Sequence, residues 1–132
     1  MSRATGGGEF VPFAREDLQG SIPARFERQA RNHPARPAIV SDAETVSYDA
    51  LNRKANAIAR GVLREVGADD TPVALLFDTH VNFIATVMGV LKAGKSYVPL
   101  DPSYPLKRKD FILSDVRSRL ILTDCRCADA AS

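Results

Sequence analysis

The chain has 132 residues, 45% of them hydrophobic and 26% charged, which bounds it to one globular domain at most. Eighteen basic residues nearly balance sixteen acidic ones, and a net charge of +2 is too small and too scattered to point to nucleic acid. No apolar run reaches the roughly 18 residues that a membrane helix needs, and no apolar signal-peptide core opens the chain, so a cytoplasmic protein without a membrane partner is the expectation.

Residues 1–20 carry Gly6-Gly7-Gly8 and no sustained periodicity, the pattern of a flexible leader. Phe10, Val11 and Phe13 are apolar enough to dock on the body as an extended arm. From Ser21 the spacing turns helical. Ile22, Phe26 and Ala30 recur every four residues and share a face. Ser21 is suited to cap that helix, and Pro34 stops it by His33, where a cation would suit the helix dipole. Ala38-Ile39-Val40 and Thr45-Val46-Ser47 read as the strands of a hairpin, with Asp42-Ala43-Glu44 as its turn.

Ser47 caps the next helix, with Asp49 in its first turn. Leu51, Ala55, Ile58, Val62 and Val66 form one apolar stripe, and Arg53, Lys54, Arg60 and Arg64 occupy exposed positions. Gly67 ends the helix, since glycine takes the left-handed conformation at little cost. Residues 72–77 form a continuous apolar run of strand length, as expected for a parallel strand buried on both faces. Asp78-Thr79-His80 is the loop at its carboxyl end. Residues 81–93 read as a helix apolar nearly all round, to be covered by other layers, with Gly94 closing it.

Tyr97-Val98-Pro99-Leu100 is the next strand. Pro99 has no N–H, so this strand lies at an edge or ends early. Tyr97, Val98 and Leu100 are expected in the core. Asp101 organises the turn through Pro105 by accepting backbone N–H bonds, and Pro105 is placed as the first helical residue. Residues 106–116 form a helix with Phe111, Ile112 and Val116 inward. Its Lys107-Arg108-Lys109 cluster reads as a solvated face. Residues 119–123 are a third strand. Strands alternating with helices at this spacing predict an α/β fold. It is the start of a doubly wound parallel sheet (β-α-β-α-β), preceded by helix, hairpin and helix, and it makes a partial domain.

Cys125 and Cys127 lack further metal ligands nearby and fall in a tail, residues 125–132. Gly6-Gly7-Gly8 lacks the Lys-Ser/Thr of a phosphate loop. Gly94-Lys95-Ser96 has the ending of such a loop, but the order of strand, loop and helix is reversed. No catalytic, cofactor-binding or metal residue is assigned. His80 stands where open α/β sheets bind ligands, and is read as a surface histidine without a partner.

Two stretches carry a family resemblance. Residues 46–52 (Val-Ser-Tyr-Asp-Ala-Leu-Asn) are similar to the first motif of amino-acid adenylation domains of nonribosomal peptide synthetases, members of the AMP-forming ligase superfamily. Residues 91–105, from Leu91 through Lys95 and Pro99 to Pro105, resemble the second motif nearly letter for letter. Residues 111–115 and 120–124 match the helix and strand that follow. The family usually has a small residue where Lys95 stands, and often arginine or serine in the loop of Asp78, Thr79 and His80. The resemblance covers residues 21–124, the N-terminal part of the adenylation domain's large subdomain.

The resemblance implies ATP-dependent activation of an amino acid as aminoacyl-AMP, with Mg²⁺ on the phosphates and transfer to a carrier protein. The phosphate loop and lid lysine of that family are not found in these residues, so no ATP or Mg²⁺ is expected on this segment and the fragment alone is expected to be inactive. Expected partners are the remainder of an adenylation domain or another synthetase segment, with a homodimer as a further option. The alternative function is a stand-alone docking or dimerisation scaffold in a synthetase assembly, and a split half that pairs with a complementary chain is a third.

Overall fold

The computed structural model describes residues 10, 12, 13, 15–78 and 81–124. Gly6-Gly7-Gly8, Val11, Thr79, His80, Cys125 and Cys127 lie outside the described residues. The chain divides into two units, Met1–Arg53 and Lys54–Ser132.

In the first unit a short 3-10 helix, Arg15–Gln19, precedes α1, Ile22–Asn32. The Ser21 hydroxyl accepts from the Ala24 N–H at 3.2 Å, and His33 closes the helix by donating its N–H to the Gln29 carbonyl at 2.8 Å. Ala30 is buried, but Ile22 on the same expected face is 66% exposed. Ile22 is the first residue of α1, at the end of the helix rather than along its packed length. Phe10 and Phe13 are likewise exposed rather than docked, and the Arg25 guanidinium lies 4.8 Å above the Phe13 ring.

β1, Pro37–Val40, pairs antiparallel with β2, Thr45–Ser47. The Ser41 hydroxyl closes the turn by donating to the Glu44 carbonyl and accepting from the Glu44 N–H. α2, Tyr48–Val66, follows directly, its first turn capped by Ser47, whose hydroxyl accepts from Ala50 N–H at 3.2 Å. Tyr48 packs on Phe26 with ring centroids 5.9 Å apart.

The second unit is built on a parallel sheet of order β4-β3-β5: β3 is Val73–Leu76, β4 Tyr97–Leu100 and β5 Ile121–Thr123. β3 is buried along its whole length. Its side chains alternate between two cores, as the period of a strand requires. Val73 and Leu75 meet Val62 and Ile58 of α2 and Val90 and Val87 of α3, Val81–Lys92. Ala74 and Leu76 meet Leu100 and, from α4, Leu106–Val116, Ile112 and Leu113. Helices therefore cover both faces, the doubly wound arrangement that the alternation predicts. Each fully buried side chain of the set Val62, Val73, Leu75, Leu76 and Val90 contributes about 1.5–3 kcal/mol.

Helix α3 departs from expectation. Val81, Ala85, Thr86, Gly89 and Val90 form a buried face, while Ile84 is 40% exposed. One face is covered, not the whole circumference. Gly94, at φ +76°, ends α3: its N–H reaches the Leu91 carbonyl and that of Lys95 reaches Val90. Arg117 performs the same function after α4, at φ 56°, with N–H bonds from Arg117 to Ser114 and from Ser118 to Leu113.

Several sequence expectations on β4 and α4 are corrected. Tyr97 is 39% exposed because it lies on an edge strand. Pro105 is the residue before α4 rather than its first, its carbonyl accepting from Arg108 and Lys109 N–H. Phe111 points outward at 71% exposure, whereas Lys109 is buried. The helix turns Lys109 toward the preceding loop, where a carbonyl receives its charge.

Candidate functional site

In an open parallel sheet, ligands bind beyond the carboxyl ends of the strands, where consecutive connections diverge. Here the chain leaves β3 for β4 on one side and returns to β5 on the other, so the divergence lies at the carboxyl end of β3. The residues carried there are Phe77 and Asp78, the turn from Asp101 to Pro105, and Asp124.

The turn is braced from several directions. Asp101 Oδ1 accepts from the Ser103 N–H at 2.8 Å and the Ser103 hydroxyl at 2.7 Å. Those two bonds, with the charge of Lys109 behind them, hold the Asp101 carboxyl below the usual carboxylate range. Lys109 Nζ donates to the Pro102 carbonyl at 3.1 Å, and Arg108 lies 4.2 Å above the Tyr104 ring. Two members of the basic cluster thus grip the turn that precedes them. Beside it, the Thr123 hydroxyl donates to the Leu76 carbonyl at 2.7 Å and ties the end of β5 to that of β3.

The amino ends of the same strands are joined by a charged clasp. Asp69 Oδ2 accepts from Arg119 at 2.6 Å, and Oδ1 accepts from the Thr71 N–H at 3.0 Å and faces Lys95 Nζ at 3.3 Å. Lys95 Nζ also donates to the Asp69 carbonyl, and Arg119 donates to the Thr71 hydroxyl. Asp69 and Thr71 precede β3, Lys95 precedes β4 and Arg119 precedes β5. The Thr71 hydroxyl and N–H, followed by Lys95 and Arg119, hold the Asp69 carboxyl well below the ordinary carboxylate range.

This clasp decides the reading of Gly94-Lys95-Ser96. The Lys95 side chain is fully buried and committed to Asp69 at the end of the sheet opposite to the ligand-binding one. It is not placed to meet a phosphate at the carboxyl end of the sheet. Among the described residues, no group of three or more His, Cys, Asp or Glu side chains is placed to hold a metal ion. The arrangement positions backbone at both ends of a sheet. The sequence signals for it were an aspartate two residues before a threonine ahead of β3, and a lysine where a small residue was expected. Neither signal points to the other without the sheet.

Comparison with known proteins adds to this geometry. The family model described as "AMP-binding enzyme" matches residues 26–132. Tyrocidine synthase 1 of Brevibacillus parabrevis is 39% identical over 113 residues, 86% of this chain and 10% of that protein. Bacitracin synthase 3 of Bacillus licheniformis is 43% identical over 98 residues, 74% of this chain and 2% of that protein. The chain therefore spans a small fraction of the length of these relatives. Among solved structures, the nonribosomal peptide synthetase FmoA3 in its AMPPNP-bound form superposes with a TM-score of 0.78 at 28% identity, covering 83% of this chain and 12% of that one. The N-terminal subdomain of NpsA from Klebsiella oxytoca shares the fold, with a TM-score of 0.72 at 20% identity, over 80% of this chain and 28% of that one.

Proposed function

The chain belongs to the AMP-binding enzyme family, and on that premise we propose that residues 21–124 serve as the N-terminal part of the large subdomain of an amino-acid adenylation domain. The complete domain would activate an amino acid as aminoacyl-AMP with ATP and Mg²⁺, release pyrophosphate and load the acyl group on a carrier protein. The segment contributes scaffold to that reaction. On this reading residues 1–20 are a leader and 125–132 a tail. A cytoplasmic setting suits an ATP-using ligase, and among the described residues no helix is long and apolar enough to cross a membrane.

The observation that carries this reading is the identity of 39% and 43% to peptide synthases over most of the chain. The geometry supports it: the second motif forms a helix end, an edge strand and a braced turn whose polar side chains are engaged in structure. The chain alone is then expected to give no ATP–pyrophosphate exchange over a panel of amino acids. The same residues built into a complete adenylation domain are expected to support exchange. Exchange by the isolated chain would overturn the assignment of scaffold.

A second reading is favoured by one observation. Ile84, Leu106 and Phe111 are exposed apolar residues of the second unit, and such surface invites association. In that reading the chain is a docking or dimerisation module, and light scattering of a monomer at high concentration would count against it.

A further inference from the structure

Helix α4 carries its charges against its own dipole. A helix favours acidic side chains in its first turn and basic ones in its last. α4 has no acidic residue in its first turn and no basic one in its last. Instead Lys107, Arg108 and Lys109 stand at its amino end, and Asp115 stands beside its last residue, Val116. Lys109 is answered by the Pro102 carbonyl and Arg108 by the Tyr104 ring. Lys107 and Asp115 are exposed, and among the described residues neither side chain makes an ion pair or a hydrogen bond.

An apolar centre lies between these charges. Residues four apart share a helix face, so Lys107, Phe111 and Asp115 form one line, flanked by Arg108 and Ser114. All five are exposed. The line is symmetric in position and opposite in charge, with cations one turn before the ring and an anion one turn after it. A two-fold axis at Phe111 that runs two such helices antiparallel brings Lys107 and Arg108 of each copy opposite Asp115 of the other. It also sets the positive end of each helix dipole beside the negative end of the other. The two rings meet at the centre. Ile84, the exposed apolar residue of α3, offers no such match: the described positions one turn away, Val81, Val87 and Met88, are apolar.

We propose that the outer face of α4 binds a second copy of this chain, the two α4 helices packing antiparallel about Phe111. This names the partner and the surface for the association reading above, and rests on it. An 11-residue helix is about 16 Å long. A contact of that length stays below the roughly 1,000 Å² of a tight interface, so the dimer is weak and reversible, with a Kd on the order of 100 μM.

The test is sedimentation equilibrium of the 132-residue chain and its variants from about 10 μM to about 1 mM, a range that brackets such a Kd. Asp115→Lys makes the face uniformly basic, and Lys107→Glu with Arg108→Glu makes it uniformly acidic. Each variant alone is expected to lose at least ~10-fold in affinity, and their equimolar mixture to recover dimers with the parent's affinity. Phe111→Ser is expected to weaken the dimer as strongly, with no recovery in any mixture. Thermal melts confirm that the variants fold, and Lys107→Glu alone replaces the double variant should that one fail. A mixture that stays monomeric while the parent dimerises overturns the inference. Dimers unchanged in Phe111→Ser and in both charge variants form elsewhere, which sinks this surface and keeps the association reading. A parent chain that is monomeric throughout sinks both. In a chimera that carries this segment in tyrocidine synthase 1, a Phe111 ring shielded from hydroxyl-radical footprinting in the monomer would give the face to the rest of that protein and likewise overturn the inference.

Discussion

At the level of single residues, two side chains carry consequences that can be measured. Lys95 is buried beside a half-exposed Asp69 that has two other donors, Thr71 and Arg119. The partners are therefore not interchangeable. Removing one partner of an ion pair is costly when the charge left behind is buried: without Lys95 the remaining Asp69 is half-exposed and keeps its other donors, whereas without the Asp69 carboxylate the remaining ammonium is fully buried. Lys95→Met is expected to change stability by less than about 1 kcal/mol, and Asp69→Ala to destabilise clearly more, in urea titrations of both variants. Equal losses would mean that the pair itself, not the stranded ammonium, governs stability. Gly89 is the second case. A Cβ there would lie 2.6 Å from Ile58 Cγ2 and 2.9 Å from the Ala55 carbonyl oxygen. The carbonyl cannot give way, because it belongs to the backbone of α2. Gly89→Ala is expected to cost about 1–3 kcal/mol by forcing α2 and α3 apart, read as a fall in the urea midpoint at unchanged slope.

At the level of elements, caps and apolar spacing are legible in the sequence and tertiary partners are not. Ser21 and Ser47 begin their helices, and Gly67 and Gly94 end theirs, where their local chemistry says they should. The stripe from Leu51 to Val66 is inward as its spacing requires. Pro99 places β4 at an edge without knowledge of the sheet, because a missing N–H is a property of one residue. Lys109 and Phe111 reverse the expectation, since charge argues for solvent and an aromatic ring for the core. The deciding facts are the Pro102 carbonyl beside Lys109 and the lack of a described layer over Phe111. The clasp of Asp69, Lys95 and Arg119 joins positions up to 50 residues apart and carries no local pattern. Arg117 escapes a sequence reading for the converse reason: its left-handed backbone is usually announced by glycine or asparagine. Since L-residues pay about 1–2 kcal/mol in that region and glycine does not, Arg117→Gly is expected to raise stability, by roughly 0.5–1 kcal/mol after the extra chain entropy of glycine. A lower melting temperature in that variant would show that the arginine side chain holds something in place.

At the level of the whole molecule, the second unit is a sheet fastened at both ends by carboxylates. Asp69 gathers the amino ends of β3, β4 and β5, and Asp101 fixes the turn leaving β4. Both carboxyls are held below their ordinary range by the groups that bond them. A carboxyl depressed in the folded state favours folding fully at pH above its unfolded value, about 3.9. That contribution is lost as the pH falls through the folded value, because the unfolded chain takes up the proton first. The fold is therefore expected to keep a level melting temperature between about pH 5 and 7 and to lose stability below about pH 4, as both fasteners protonate. Asp69→Asn tests which fastener dominates. Its deficit against the parent chain should be largest near neutral pH and should shrink as the pH falls below about 4, where Asp69 of the unfolded chain takes up its proton while the folded carboxylate stays ionised to much lower pH. Thermal melts of the two proteins at matched ionic strength check this. A deficit that stays constant across the range would show that Asp69 acts through its shape and hydrogen bonds, and that the strand ends are not held by its charge.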